Sequence, residues 1–471
     1  MSQPENEYIR LVDKFDKSKG LYPVVDGSIY LPFKDKLIPS TGNLPFSYEI
    51  FKDEYGIVYA KNGRTGKIDF FGNDASTVIQ KALDSLTPNR TWKERVVVRG
   101  DFTLKSPLTI RSYTLLELLG RLKLADRANC YMLKTDFSTH STEIEVCGGI
   151  WDGNGANQTR SISSPSKLTD YFGHIFFFYD VDHLRVHDLK TVNPNAWAIR
   201  IQKATQVDVG NIMFDHNGAT PNEDGCDICG PASDISIHDL IGNTTDDIIG
   251  IFNDAGSNWN AGVAGEISYV NIKNVINNNP NYYGGICFYA GSTTYYTHDV
   301  NISNVIIRSK GYIIHQEAGK TYNVVIKNVT GYSSASEANI AAFRWASGVA
   351  YRWVIDGVSI IVDHLANLFY FGITPEDSII RNFRAYATVD AKVVRSENSG
   401  KATFSGDGTT KTFTIPHGLY KSPSEVSVTP ASSGASGSFY VTVDGTNIYV
   451  NYLTAPPAGT NNVVLYWEAK T

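Results

Sequence analysis

The sequence predicts an all-β protein: a right-handed parallel β-helix with an N-terminal capping helix and a small C-terminal β-sandwich. Three observations predict it. A phrase of apolar, any, apolar, any, Asn/Asp/Gly, apolar recurs between residues 184 and 358. An amphipathic stretch at 73–86 stands ahead of the first strands. After residue 398 the pattern changes to short alternating runs separated by Gly-containing turns.

The phrase reads "LRVHDL" at 184–189, "VDVGNI" at 207–212, "ISIHDL" at 235–240 and "VNIKNV" at 270–275. It returns as "VNISNV" at 300–305, "VVIKNV" at 324–329 and "WVIDGV" at 353–358. Successive starts are 23, 28, 35, 30, 24 and 29 residues apart. Period-2 alternation makes each phrase a strand, and a recurrence of 20–50 residues marks a solenoid. No stretch between 140 and 395 carries the 3.6-residue period of a helical repeat, and the Leu/Asn consensus of a leucine-rich repeat is missing. The remaining solenoid is the parallel β-helix, with Val, Ile and Leu stacked inward and Asn at equivalent turns forming side-chain ladders. Turns of unequal length account for the uneven spacing.

The flanks fit this reading. In "NDASTVIQKALDSL" (73–86), Asn73 or Asp74 is the N-cap, and Val78, Ile79, Ala82, Leu83 and Leu86 share one side. Such a helix covers the open end of a solenoid. Residues 1–70 show no clear period and are read as an attachment or extension segment; 71–398 form the β-helix. Residues 399–471 form the separate β-module, with "VDGTN" as a hairpin turn, serving binding or trimerisation.

Composition narrows the function. A net charge of −6 gives no basic footprint for nucleic acid. The 27 tyrosines suit sugars, because a ring covers the apolar face of a pyranose while its hydroxyl bonds the rim. Five scattered cysteines give no disulfide framework. Cys226 and Cys229 would point to opposite faces of a strand, so a metal or redox pair is not expected there, and Cys226 reads as a small core residue. The start "MSQPENEYIRLVDKFDKSKG" lacks an apolar signal core, and "IFFFY" at 175–179 is far too short to span a bilayer. The chain is therefore expected on a virion tail or outside the cell without a classical signal peptide, and not inserted in a membrane.

The chemistry concentrates in "NEDGCDICGPASDISIHDLIGNTTDDIIGI" (222–251). Asp224 and the pair Asp246–Asp247 lie 22 and 23 residues apart, close to one short coil. Equivalent positions on adjacent coils stack about 4.8 Å apart. Three carboxylates would then meet on one face, and crowding raises the pKa of at least one, the condition for a general acid. Hydrolysis of a glycosidic bond needs such an acid and a second carboxylate to activate water or attack carbon.

These residues resemble glycoside hydrolase family 28, the polygalacturonase group of pectin-lyase-like β-helices. Asn222-Glu223-Asp224 matches its Asn-x-Asp motif, Gly225, Asp227 and Ile228 the continuation, and Thr245-Asp246-Asp247 its Gly-Asp-Asp. Trp197 and "WDGNG" (151–155) also suit the pattern. The detailed likeness covers about 60 residues. The resemblance implies Asp246 as general acid, Asp224 and Asp247 as the carboxylates activating water, and inversion. There are departures. The Gly-His-Gly motif has no counterpart, since the following stretch reads "AGVAGEISYV". The Arg-x-Lys that holds a uronate carboxylate should fall in "GGICFYAG", where Cys287 and Tyr289 stand. Galacturonan is therefore not the expected substrate; a neutral, amino- or otherwise modified surface glycan is. Arg200 and Arg344 are candidate cations from other coils.

The capped β-helix, the absent signal peptide and the C-terminal module together resemble a phage tailspike depolymerase. That resemblance implies a homotrimer attached to a virion tail through the N-terminus. Asn222, Trp259, Tyr289, His315 and Glu317 are read as substrate-binding candidates, with His315 and Glu317 alternating on one face, where they extend the groove or salt-bridge to each other. Trp259 with Asn260 is a sugar platform or a turn packing on its own coil. His174, His183 and His187 show no metal-ligand spacing and read as surface or satisfied histidines. "GGIWDGNG" lacks the Lys-Ser/Thr ending of a phosphate loop and reads as a turn. No cofactor is expected for a hydrolase. A polysaccharide lyase on the same fold, with Asp-held Ca²⁺, and a non-catalytic glycan-binding adhesin are the alternatives.

Overall fold

The structure is a computed structural model that describes residues 22–25, 28–30, 46–160, 168, 170–254, 263–291, 294–334, 341–362, 367–373, 375–387, 397–419 and 421–471. Much of the segment read as an attachment region thus lies outside the described residues.

The repeat becomes a stack. Leu184, Val207, Ile235, Val270, Val300, Val324 and Trp353, the first residues of the seven phrases, are parallel register partners in that order. The chain is therefore an all-β right-handed parallel β-helix. The fifth position explains the phrase. Asp188, Asn211, Asp239, Asn274, Asn304 and Asn328 all have φ between 54° and 57°, the left-handed region that Asn and Asp tolerate. Each bends a long strand around a corner, and the side chains form the expected ladder. Asn274 Nδ2 donates to Asp239 Oδ1 (2.8 Å), Asn304 to Asn274 (3.0 Å) and Asn328 to Asn304 (3.2 Å).

The inward residues form one continuous core from Tyr48 to Ile380. Its N-terminal end is covered by the helix Ala75–Asp84, capped by Asp74, whose carboxylate accepts from Ser76 N (3.2 Å) and Thr77 Oγ1 (2.7 Å). Val78, Ile79, Ala82 and Leu83 are buried, as is Leu86 just past the last turn. Strands Tyr48–Lys52, Val58–Asn62 and Ile68–Gly72 join the same core, with Tyr48 pairing Val96. The apolar core thus begins ahead of the boundary read after residue 70. Among the described residues no helix is long and apolar enough to cross a membrane.

Adjacent coils approach so closely at some turns that only glycine fits. Gly348 has φ +94°, and a Cβ there would stand 1.9 Å from the carbonyl oxygen of Gly319. Backbone cannot swing aside as a side chain can. Gly348→Ala is expected to cost about 2–3 kcal/mol, read as a lower denaturant midpoint; an unchanged midpoint would contradict the close approach.

Residues after 396 form two three-stranded antiparallel sheets. One joins Glu397–Gly406, Gly459–Lys470 and Glu425–Pro430; the other joins Thr412–Pro416, Asn447–Tyr452 and Phe439–Val443. They enclose their own core, which includes Phe413, Ile448, Val450, Leu465 and Trp467. The "VDGTN" turn closes a hairpin, with the Asp444 carboxylate accepting from Thr446 N (2.8 Å) and Asn447 N (2.7 Å).

Candidate active site

One column of outward residues carries the chemistry. Strands Ile199–Asp215, Cys226–Asn243, Ile249–Asp254, Ile286–Ala290, Ile314–Gln316 and Ala341–Trp345 follow one another in parallel on one face. Ile199, Cys226, Ile249, Ile286, Ile314 and Phe343 point into the core, so their neighbours point out. Those neighbours, Arg200, Asp227, Gly250, Cys287, His315 and Arg344, are register partners in that order.

The acidic residues sit where the chain enters two of these strands. Gly225 N donates to Asp247 O (2.9 Å) and Cys226 N to Ile248 O (3.0 Å). Carrying the Cys226–Ile249 register back two residues sets Asp224 beside Asp247. Asp246 precedes Asp247, and Asn222 Nδ2 donates to its Oδ2 (3.3 Å). Buried polar groups beneath fix this turn. Thr244 Oγ1 donates to Asp246 O (2.7 Å) and accepts from Asn277 Nδ2 (2.9 Å), while Asn277 Oδ1 accepts from Thr244 N (3.1 Å).

Burial sorts the carboxylates. Asp224 and Asp227 are 3% and 0% exposed, Asp247 is buried, and Asp246 is half-buried. Burial, with Asp227, Asp246 and Asp247 adding repulsion, holds Asp224 well above the usual carboxylate range, against the pull of Arg160. Burial and then Asp247 and Asp246 do the same to Asp227. Asp246 is pushed up to about 7 by burial and Asp247, with His315 opposing. Asp224 Oδ1, Asp247 Oδ1 and both oxygens of Asp227 have no hydrogen-bond partner.

Among the other residues singled out in the sequence, His315 joins the cluster and Glu317 stands beside it. His315 is 2% exposed, its Nε2 is 3.6 Å from Asp247 Oδ1 and its Nδ1 is 3.7 Å from Glu317 Oε2. Glu317 also pairs with Arg344. His315 and then Arg344 hold its carboxyl down to about 2, against partial burial. Tyr289 is half-buried and set edge-on to Phe252, its ring centroid 6.2 Å away, beside a cluster of Trp197, Cys229, Phe252 and Cys287. Trp259 and Asn260 lie outside the described residues. Cys226 faces the core and Cys229 the outside, as alternation requires.

Three expectations are corrected. "AGVAGEISYV" does not follow the acidic pair on this face, because Ile267–Asn279 belongs to a different strand stack. The next coil here is "GGICFYAG", and His315 and Glu317 occupy the one after it. The coil from Ile249 to Ile286 is 37 residues long, against 23 for the one before, which displaced the assignment. His174 is not a surface or satisfied histidine: it is fully buried, 5.0 Å from the Trp197 ring, with Nδ1 unpartnered.

Sequence reasoning named Asp227 only within the motif and gave it no role, although its place between inward Cys226 and Ile228 already puts it outside. It also missed Arg160, which donates to the carbonyls of Asn195 and Pro221 and lies near Asp224. No sequence signal marks that contact. Arg200 is 2% exposed, stacked 4.5 Å over Phe177 and bonded to Gln202 Oε1 (2.7 Å), one coil before Asp227.

Comparison with known proteins gives the following likenesses. Residues 90–311 match the model of "Glycosyl hydrolases family 28". Polygalacturonase-2 of Solanum lycopersicum is 24% identical over 244 residues, 48% of this chain. The matched stretch spans 50% of that relative's length. A hyperthermoactive exopolygalacturonase from Thermotoga maritima superposes with a TM-score of 0.51 at 14% identity, covering 67% of this chain and 87% of its own. A tailspike protein double mutant of an E. coli bacteriophage gives 0.46 at 10%, covering 84% and 90%. The chain is thus a pectin-lyase-like parallel β-helix that resembles glycosyl hydrolases family 28 across the coils carrying its carboxylate cluster.

Proposed function

We propose that the protein is a glycoside hydrolase that depolymerises a cell-surface or extracellular polysaccharide. In this reading Asp246 protonates the leaving oxygen, and Asp224 and Asp247 activate the attacking water, with inversion implied by the family resemblance. The observation that carries it is the meeting of Asp224, Asp246 and Asp247 on one outer face, within the residues matched by the family. Glycosidic hydrolysis needs a carboxyl group that gives a proton and a carboxylate that takes one, on opposite sides of the bond. Asp246 suits the first role because it is the more accessible of the three and is oriented by Asn222.

The substrate follows from charge. The matched relatives are named polygalacturonases, which speaks for a uronate polymer. The local charges speak for another sugar. On the coils after the acidic pair, where the family would offer a basic pair, a uronate would meet Cys287 and Glu317, and the guanidinium of Arg344 is already neutralised by Glu317. A neutral, amino-bearing or otherwise modified sugar is favoured.

The test is incubation with polygalacturonate, neutral polysaccharides and amino-sugar polymers, followed by sizing and end-group analysis. Oligosaccharides with new reducing ends are expected from a polymer free of uronate. Preferential cleavage of polygalacturonate would refute the substrate assignment. Products with ultraviolet-absorbing unsaturated ends would reassign the chain to the lyases, and binding without cleavage of any polymer would make it an adhesin.

A further inference from the structure

Three successive coils bring a carboxylate, a thiol and an imidazole to one point. An oxygen of Asp247, the sulfur of Cys287 and a ring nitrogen of His315 all lie within 4.8 Å of one another. The three residues are 6%, 5% and 2% exposed. We propose that Asp247, Cys287 and His315 form a binding site for one zinc-class divalent cation.

These donors make ion pairs but no hydrogen bonds. Asp247 Oδ1 and both ring nitrogens of His315 make no hydrogen bond although they are buried. Their separations of 3.6 Å to each other and 3.7 Å to Glu317 are ion-pair distances, too long for hydrogen bonds. Each buried polar atom left so costs about 1–3 kcal/mol, and a cation shared between them removes that cost. Tyr312 stacks on His315 with ring centroids 3.4 Å apart and holds the imidazole plane.

The donor set selects the metal. Sulfur and imidazole nitrogen suit zinc and its neighbours, whereas Ca²⁺ and Mg²⁺ require oxygen shells. Bonds of about 2.0–2.3 Å in a tetrahedron set donors roughly 3.3–3.7 Å apart. The His315–Asp247 distance already fits, and the sulfur lies within 4.8 Å of both. Binding replaces two protons: the S–H bond of Cys287 breaks as an S–Zn bond forms, an N–H bond of the His315 imidazolium breaks as an N–Zn bond forms, and both H⁺ leave to solvent. A thiolate, a carboxylate and a neutral imidazole then balance the two positive charges, and water takes the fourth position. The sequence hides the site because the three residues fall in no ligand motif; only coil length brings them together.

The test is independent of the hydrolase reading, because its readout is binding and not turnover; a zinc-bound Asp247 is not free to activate water, so the two readings describe the metal-loaded and the metal-free protein. The full chain, stripped with chelator, is titrated calorimetrically with Zn²⁺ and separately with Ca²⁺. One Zn²⁺ per chain is expected, with proton release and no heat from Ca²⁺. Cys287→Ser and His315→Ala should each weaken binding on the order of 100-fold or more. Should either variant fail to fold, Co²⁺ added to the unaltered protein carries the test. A sulfur-to-cobalt charge-transfer band in the near ultraviolet supports the site, and cobalt bound without that band overturns it. Absence of Zn²⁺ binding, or binding undiminished in both folded variants, overturns it equally.

Discussion

Asp246→Asn is expected to lower kcat about 100- to 10,000-fold on whichever glycan the protein cleaves, while glycan binding survives. The substitution keeps shape and removes the proton that the leaving oxygen must receive. The new amide oxygen can still accept from Asn222, whose Nδ2 lies 3.3 Å from Asp246 Oδ2, so the turn should not move. Thr244 and Asn277 hold the Asp246 backbone independently of its side chain. A drop in kcat with an unchanged dissociation constant therefore reports lost proton transfer and not a collapsed groove. The companion measurement is product analysis in single turnover on the identified polymer, with binding followed on an immobilised glycan. Retention of full kcat would remove Asp246 from the acid role. Equal loss of binding and turnover would make it a substrate contact.

How much of this was legible in the sequence depends on what kind of fact is asked for. The coil register was legible because each phrase carries its own punctuation: the residue at the corner must adopt positive φ, so Asn, Asp or Gly recurs there. The capping helix was legible from Asp74 and the spacing of its apolar residues. The partnership of Asp224 with Asp247 was legible because the coil between them is short and uninterrupted. Beyond that coil the reading put His315 and Glu317 together on one face but misplaced the coil before them. The insertion between Ile249 and Ile286 lengthens one turn of the solenoid, and periodicity says nothing about where the chain rejoins the face. The contacts of His315 with Asp247 and Cys287 depend on that rejoining, as does the place of Glu317 beside Arg344. Asp227 was a different failure. Its outward direction was implied by alternation, but its complete burial follows from Gly250 on the next strand. A Cβ added to Gly250 would stand 2.3 Å from Asp227 Oδ1.

That burial yields the second large effect: Asp227→Asn is expected to stabilise the protein, and by more as the pH rises. Both Asp227 oxygens are buried without a hydrogen-bond partner. Burial, then Asp247 and Asp246, raise its folded-state pKa well above the ordinary value, and the nearby Gly250 backbone N–H and then the Arg200 guanidinium on the preceding coil offset this only in part. Asp224 beside it is raised for the same reasons, so these carboxylates share protons as a group. The sign follows from linkage. Below the unfolded pKa of about 4, Asp227 is neutral in both states and should resemble the amide. Above that value the unfolded chain releases the proton while the folded chain keeps it. Each unit of pH between there and the folded pKa then adds about 1.4 kcal/mol to the advantage of the variant. The difference between the two proteins should therefore vanish near pH 4 and widen as the pH rises above it, when thermal midpoints are followed in chelator. A constant difference would show that packing or hydrogen bonding, and not charge burial, separates them. A destabilised variant at pH 7 would show that the carboxylate has a partner that offsets its burial. Stabilisation on removal of this charge would mean that the fold tolerates a costly group at the face where its carboxylates meet, the expected mark of a site shaped for chemistry at the expense of stability.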